Sequence, residues 1–288
     1  MADNYLEKKM EDLRNGKTGG GLRKKNMSGR LKGMRAFVTG GASGIGRCIV
    51  ETLRREECRV AFCDKDRESG EKLAAVYGAK FYNLDVRNSE KFSNLFQTLL
   101  EEWGDIDIVV NNVGVGDFRP LYKKNLEDFE DILRTNLFPV FITGNLWAIH
   151  RENLKQLNNM NPGGRMINIC STRHLQSEPG SEGYAASKGA IRSLTHALMM
   201  SLSRYGITVN CISPGWIDCQ TSTIFSDADT QQHPSGRVGR PSDIADMVLF
   251  LANPDHNFIN GQDIVVDGGM TRRMIYSGDY GWSFTSEE

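Results

Sequence analysis

The sequence predicts an α/β protein: a single domain with a doubly wound, mostly seven-stranded parallel sheet and helices on both faces. Three observations carry this. From Met34 onward, short apolar runs alternate with longer amphipathic segments, the order that builds βαβ units with right-handed crossovers. The first apolar run leads into a glycine cluster that opens a helix, as a phosphate-binding loop does. No break in composition and no linker interrupts residues 34–269 of the 288, so one domain is expected despite the length.

The elements follow in order. An apolar strand at Arg35–Thr39 is stopped by Gly40 and Gly41, and an amphipathic helix follows at Ile45–Arg55. Strand two, Arg59–Cys63, precedes a helix at Glu68–Tyr77, and strand three, Lys80–Leu84, precedes one at Ser89–Trp103. Strand four, Ile106–Asn111, is followed by two helical stretches, Leu126–Thr135 and Val140–Leu157. Strand five, Arg165–Cys170, leads to the long helix Tyr184–Tyr205. Strand six, Ile207–Ile212, is separated from a helix at Ser242–Leu251 by a long irregular insertion, Trp216 to Arg240, and Asp263–Val266 closes the sheet.

The flanks differ. Residues 1–33 form a basic extension in which Lys8, Lys9, Arg14, Lys17, Arg23, Lys24, Lys25, Arg30 and Lys32 outnumber Asp3, Glu7, Glu11 and Asp12. Asn4 with Glu7 can cap a short helix there, with Leu6, Met10 and Leu13 on one face. Such an arm is either a solvated extension or a docking segment for another subunit or a polyanion. The tail, residues 270–288, carries Trp282 and Phe284, unusual in a purely disordered end.

Composition excludes several classes. Lys and Arg number 35 against 36 Asp and Glu, a net charge of −1, so nothing draws the whole chain to nucleic acid. No apolar run approaches the ~18–20 residues of a membrane span, and the charged N-terminus lacks a signal-peptide stretch. Six cysteines and five histidines show no metal-like spacing, so no metal is expected. The cysteines read as reduced thiols of a cytoplasmic protein.

The chemistry begins at Thr39-Gly40-Gly41-Ala42-Ser43-Gly44-Ile45-Gly46. Gly40 permits the tight turn, Gly44 the close approach of a pyrophosphate, and Gly46 close packing of helix on strand. Backbone N–H groups, including those at Ser43 and Ile45, and the positive helix end then face phosphate. Asp64 lies eighteen residues after Gly46, at the end of the second strand. A carboxylate there accepts hydrogen bonds from ribose hydroxyls and repels a 2′-phosphate, which points to NAD rather than NADP. Lys65 is the one dissenting residue.

With these residues in place the chain resembles the short-chain dehydrogenase/reductase family, a single-domain Rossmann fold. TGxxxGxG is that family's form of the dinucleotide loop. Asp85-Val86 follows strand three, Asn111-Asn112-Val113-Gly114 follows strand four, Asn136 follows Thr135, Ser171 ends strand five, Tyr184-Ala185-Ala186-Ser187-Lys188 matches YxxSK, and Pro214-Gly215 follows strand six. The resemblance covers Met34 to Gly269. It implies that Asp85, Val86, Asn112, Gly114, Pro214, Gly215 and Ile217 line the cofactor site, and that Asn136, Ser171, Tyr184 and Lys188 are catalytic. It also implies that Lys188 contacts the nicotinamide ribose, that Asn136 holds a water linking Lys188 to solvent, and that the protein is a homotetramer.

Tyr184 and Lys188, four apart on a helix, share one face. A phenol of pKa ~10 is a poor base at neutral pH, and a nearby ammonium favours the phenolate. Tyr184 is then the general base for alcohol oxidation and general acid for carbonyl reduction, with Ser171 holding the substrate oxygen. Where the family often has threonine after Pro-Gly, this chain has Cys219, a poorer hydrogen-bond partner; Thr221 is a possible substitute. Arg173 and His174 follow Ser171 and are candidates to face the substrate. No G-x-S-x-G elbow accompanies the serine, which excludes a hydrolase.

These residues predict an NAD-dependent dehydrogenase acting on a small-molecule secondary alcohol or ketone. Aromatic residues of the insertion and tail suggest a hydroxysteroid; sugar or polyol dehydrogenation and 3-oxoacyl reduction stand as alternatives. An acyl-carrier-protein substrate calls for a basic patch, for which Arg173, Arg237 and Arg240 are candidates. From another class, the same loop would serve a dinucleotide-sensing protein without turnover.

Overall fold

In the computed structural model, residues 29–158, 163–220 and 223–274 are described. Seven strands form one sheet: β1 (Arg35–Thr39), β2 (Arg59–Asp64), β3 (Lys80–Asn83), β4 (Ile108–Asn111), β5 (Gly164–Ile169), β6 (Ile207–Pro214) and β7 (Asp263–Val266). Their order is β3-β2-β1-β4-β5-β6-β7, and every neighbouring pair is parallel. The chain winds outward from β1 in one direction and from β4 in the other. The crevice where that direction reverses, at the carboxyl ends of β1 and β4, is where such sheets bind ligands.

The helices α1 (Gly44–Arg55), α2 (Arg67–Tyr77), α3 (Ser89–Trp103), α4 (Leu126–Asn136), α5 (Phe138–Gln156), α6 (Glu182–Leu202), α7 (Asp227–Gln231) and α8 (Pro241–Ala252) connect the strands. Alternation along the strands divides the core in two. Phe37, Val109, Met166 and Val209 face a cluster that includes Phe92, Phe96, Trp147 and Ile191. Val38, Ile108, Ile167 and Ile212 face Ile49, Leu53, Phe62 and Val248.

Local chemistry sets the element ends. Asp66 and Asn88 cap α2 and α3 by accepting N–H bonds from Ser69 and Lys91, and Gly78 and Gly104 end those helices in the left-handed conformation. Asn125 and Asp128 form a reciprocal capping box at α4. The strands and longer helices fall within a few residues of their expected bounds. β4 begins at Ile108, and the Asp107 carboxylate just before it accepts the Arg35 backbone N–H at 2.8 Å and its guanidinium at 2.8 Å.

One region departs from expectation. The insertion expected as irregular contains α7, opened by a Ser226–Asp229 capping box, and it closes on itself through a bridge between Ile217 and Gly239. A five-residue helix has no apolar period to read, and only the box signals it. Of the N-terminal extension, residues 1–28 lie outside the described residues, as do Thr221, Trp282 and Phe284; Leu31, near its end, is buried in the core beside Cys58.

Candidate active site

Gly40 and Gly44 sit at φ +66° and +53°, a region that favours glycine. A Cβ on Gly46 would lie 1.9 Å from the Gly40 carbonyl oxygen, so only glycine lets α1 reach the turn. Asn112 braces the loop: its side-chain amide donates to the carbonyls of Thr39 (3.0 Å) and Gly40 (2.9 Å), and its backbone N–H donates to the Thr39 hydroxyl. Ser43 is the N-cap residue of α1, yet its side chain accepts no capping bond. The first amides of α1 therefore keep their capacity for an anion. A loop with no room for side chains, whose first helical amides Ser43 does not cap, fits a pyrophosphate.

The Asp64 carboxylate accepts the N–H of Ala42 and that of Asp66, each at 3.0 Å. Each oxygen keeps a lone pair for a further donor. Asp85 is bound by the Arg87 guanidinium, at 2.7 Å from Nη2, and that hydrogen bond holds its carboxyl below the usual carboxylate range. Arg87 also reaches Asp131 and lines the cleft; nothing in its spacing marks it in the sequence.

One cleft of about 820 Å³ runs from this loop across the carboxyl end of the sheet. Gly40, Ser43, Gly44, Ile45, Gly46, Asp64, Asp85, Val86, Asn112, Gly114, Ser171, Tyr184, Lys188, Pro214, Gly215 and Ile217 all line it. β5 delivers Ser171, whose hydroxyl accepts the N–H of Arg173 at 3.2 Å. The first turn of α6 delivers Tyr184. One turn later the Lys188 ammonium lies 5.4 Å from the Tyr184 ring centroid and donates to the Ile169 carbonyl at 2.9 Å. Gly114 faces that ammonium, and a Cβ there would stand 3.2 Å from it.

Asn136 is placed differently. It is buried behind the wall, its amide donating to the Val115 carbonyl and the Ser187 hydroxyl and accepting the Val115 N–H. Its side chain shapes the cleft without lining it. Nor do Arg173 and His174 face the cleft, contrary to expectation. Arg173 pairs with Glu178 at 2.5 Å, and His174 turns inward, its Nε2 2.8 Å from the Asp263 carboxylate.

The family profile described as enoyl-(acyl carrier protein) reductase matches residues 40–271. The chain belongs to the short-chain dehydrogenase/reductase family. It is 38% identical over 260 residues to an uncharacterized oxidoreductase of Thermotoga maritima, covering 85% of this chain and 99% of that one. It is 33% identical over 257 residues to a sorbitol dehydrogenase of Cereibacter sphaeroides, covering 83% and 98%. Among solved structures, an apo SCOR enzyme from Clostridium thermocellum superposes with a TM-score of 0.75 at 37% identity, covering 88% of this chain and 98% of that one.

In this short-chain dehydrogenase/reductase, Cys219 stands at the edge of the phosphate loop. The thiol lies over the phosphate loop, 3.1 Å from where a Gly44 Cβ would be, and it lines the cleft. Burial pushes it above its ordinary pKa, so it stays neutral. Beyond it, Trp216 packs on Phe225 and His233, with ring centroids 5.7 and 6.1 Å away, and forms the aromatic base of the insertion. Phe118 lies against Tyr184 across the mouth; no sequence motif marks it.

Proposed function

We propose that this chain is an NAD(H)-dependent oxidoreductase that interconverts a secondary alcohol and a ketone. One observation carries the reading: Ser171, Tyr184 and Lys188, from two elements, line the same cleft as the glycine loop and Asp64. When bound, the nicotinamide supplies the hydride chemistry. Tyr184 takes the hydroxyl proton in oxidation and returns it to the carbonyl oxygen in reduction. Ser171 holds that oxygen beside the phenol, and the Lys188 ammonium stands one turn away on the same helix face, 5.4 Å from the Tyr184 ring centroid. Asp64 supports NAD over NADP, because a carboxylate beside a 2′-phosphate is repulsive.

A small polyhydroxylated substrate is better supported than an apolar ring. Asp117, Arg119 and Asp128 line the cleft as an ion-paired polar cluster, and a sorbitol dehydrogenase is among the relatives. A hydroxysteroid keeps Trp216 and Phe225 in its favour, while Trp282 and Phe284 lie outside the described residues. A carrier-protein substrate stays an alternative: the matching family profile is described as enoyl-(acyl carrier protein) reductase and relatives include 3-oxoacyl-(acyl-carrier-protein) reductases, although two of the three candidate basic residues, Arg173 and Arg237, are paired with Glu178 and Asp243. A homotetramer is supported by the exposed Phe138, Phe141, Ile149 and Met200 on α5 and α6, and light scattering at micromolar concentration tests it.

The deciding experiment follows NADH and NADPH absorbance over polyols, sugar acids, hydroxysteroids and a 3-oxoacyl thioester. NAD-linked turnover of a polyol supports the reading. Tight NADH binding without turnover of any compound favours a dinucleotide sensor.

A further inference from the structure

Two loops frame the mouth in front of Tyr184. Residues 113–120 follow β4, and residues 175–181 lead into α6. Lys124 stands where they meet. Its ammonium donates to the Asp117 carbonyl at 2.9 Å, to the Gly180 carbonyl, and to the Glu182 carboxylate at 2.8 Å. The side chain is only 9% exposed. A lysine ammonium has three donors, and all three are engaged, one with the first loop and two with the second loop and its helix.

The loops also touch backbone to backbone. Gly180 sits at φ +79°, and a Cβ there would stand 2.6 Å from the Phe118 carbonyl oxygen and 2.8 Å from that of Arg119. The joint therefore excludes a side chain at position 180. Carbonyl dipoles from both loops converge on it, and a buried cation offsets their mutual repulsion. Arg119 adds pairs to Asp117 and Asp128, but exposed ion pairs hold little.

The joint fixes Phe118. Its ring lies 5.9 Å from the Tyr184 ring, tilted by 51°, and half of the residue is exposed. Gly116 makes the approach possible, since a Cβ there would be 2.5 Å from the Phe118 ring. The ring stands at the rim of the cleft, which its chain neighbours Gly116, Asp117 and Arg119 line, and its exposed face lies beside the Tyr184 phenol.

We propose that Lys124 is a positioning residue that pins the two mouth loops together, and that the Phe118 ring held beside Tyr184 is a specificity-determining wall of the substrate site. The proposal rests on the reading of Tyr184 as the proton carrier. Lys124→Met keeps the apolar stem and removes the donors. It leaves the Asp117 and Gly180 carbonyls without their shared donor, while the exposed Glu182 carboxylate can turn to water.

The test uses the full chain and the alcohol that the wild type oxidises best. For Lys124→Met, amide exchange in residues 113–120 and 175–181 is expected to accelerate about tenfold or more, with the sheet unchanged. KM is expected to rise about tenfold while kcat stays within about threefold, and the NADH affinity measured by fluorescence stays within about twofold. Phe118→Ala is expected to raise KM as much without changing exchange. Gly180→Ala wedges the joint from the other side and is expected to reproduce the Lys124→Met pattern; it decides the matter if Lys124→Met does not fold. Unchanged exchange in the two segments overturns the pin. Accelerated exchange with unaltered KM in both Lys124→Met and Phe118→Ala overturns the wall. A wild type that binds NADH but turns over no alcohol counts against the active-site reading and the Phe118 contact with it, while the exchange comparison still decides the pin.

Discussion

The phosphate loop and the substrate mouth share one cleft but are made of different parts. At the loop, the recognising groups are backbone amides, and the residues that matter are those that stay out of the way: Gly40, Gly44 and Gly46, braced by the Asn112 amide. At the mouth, the candidate recognising groups are side chains on connecting segments: Arg119, which lines the cleft, Phe118 beside Tyr184 at its rim, and Trp216 with Phe225 in the insertion beyond. A constant ligand part can be met by fixed backbone, whereas a variable one calls for loops on a rigid scaffold. The loop should therefore fail when a side chain is added, and the mouth when one is removed or changed.

The sharpest break falls where the two ends meet. Tyr184→Phe removes the proton carrier but keeps the ring that packs on Phe118, so kcat is expected to fall by roughly a thousandfold with NADH affinity unchanged. Stopped-flow absorbance with a fluorescence titration reads both. Turnover persisting at more than about a tenth of the wild-type rate would remove Tyr184 from the mechanism.

At the loop, Gly46→Ala sets a Cβ 1.9 Å from the Gly40 oxygen. NADH binding is expected to weaken by about a hundredfold, roughly 2.7 kcal/mol, because backbone must shift. Gly114→Ala meets the Lys188 ammonium at 3.2 Å and oxygens of Asn136 and Asn112 at 3.7 and 3.9 Å, contacts that a shift of a few tenths of an ångström relieves, so a much smaller loss is expected. Equal losses in the two variants would mean that the tight turn does not govern phosphate binding.

Asp64 tests the loop's one charged discriminator. Asp64→Ala is expected to cost about tenfold or more in NAD affinity and to admit NADP, with Lys65 then free to meet the 2′-phosphate. Stability should also fall by about 1–2 kcal/mol, since the Ala42 and Asp66 amides lose their acceptor. Isothermal titration with both cofactors separates the effects, and an unchanged NAD/NADP ratio would show that selection lies elsewhere.

The same contrast explains what could be read from the sequence. The seven strands were legible because parallel strands buried on both faces are apolar runs, and the helices between them because their period is regular. The glycine loop, Asp64, Ser171, Tyr184 and Lys188 were legible because their spacing along the chain is their geometry. Lys124 was not: its three partners come from residues 117, 180 and 182, brought together only by the fold. His174 misled for the same reason. Its nearness to Ser171 in sequence says nothing of Asp263, which draws it inward. α7 escaped because one capped turn has no period.

A pair remote from both ends serves as the control. The Arg35 guanidinium binds Asp107, and burial opposes that bond, yet the carboxyl lies below its usual range. A carboxylate with a depressed folded-state pKa adds stability above its unfolded value, and that stability is lost as pH falls through the folded value. Asp107→Asn is expected to lower the melting temperature by a few degrees at neutral pH, about 1 kcal/mol or more. The deficit should shrink as the medium is made acidic, and kcat should not change. A deficit that persists below about pH 2–3 would mean that packing, not charge, holds this corner.

The smallest effect is expected at Cys219, which separates the two regions most finely because it sits on a segment of the mouth yet covers the loop. Its neutral thiol, raised in pKa by burial, is a weak donor. Cys219→Ser should therefore change NADH affinity by no more than about threefold, under 1 kcal/mol. Position, however, is decisive for access: with Sγ 3.1 Å from the site of a Gly44 Cβ, a bound pyrophosphate would cover it. Of the six cysteines it is the one exposed, so a maleimide should label it first, and saturating NADH should slow that labelling by about tenfold or more. Labelling that ignores NADH, with Cys219 confirmed by peptide mass as the modified residue, would show that the thiol swings clear of the loop. Cys219 would then belong to the mouth, and the loop would be sealed by backbone alone.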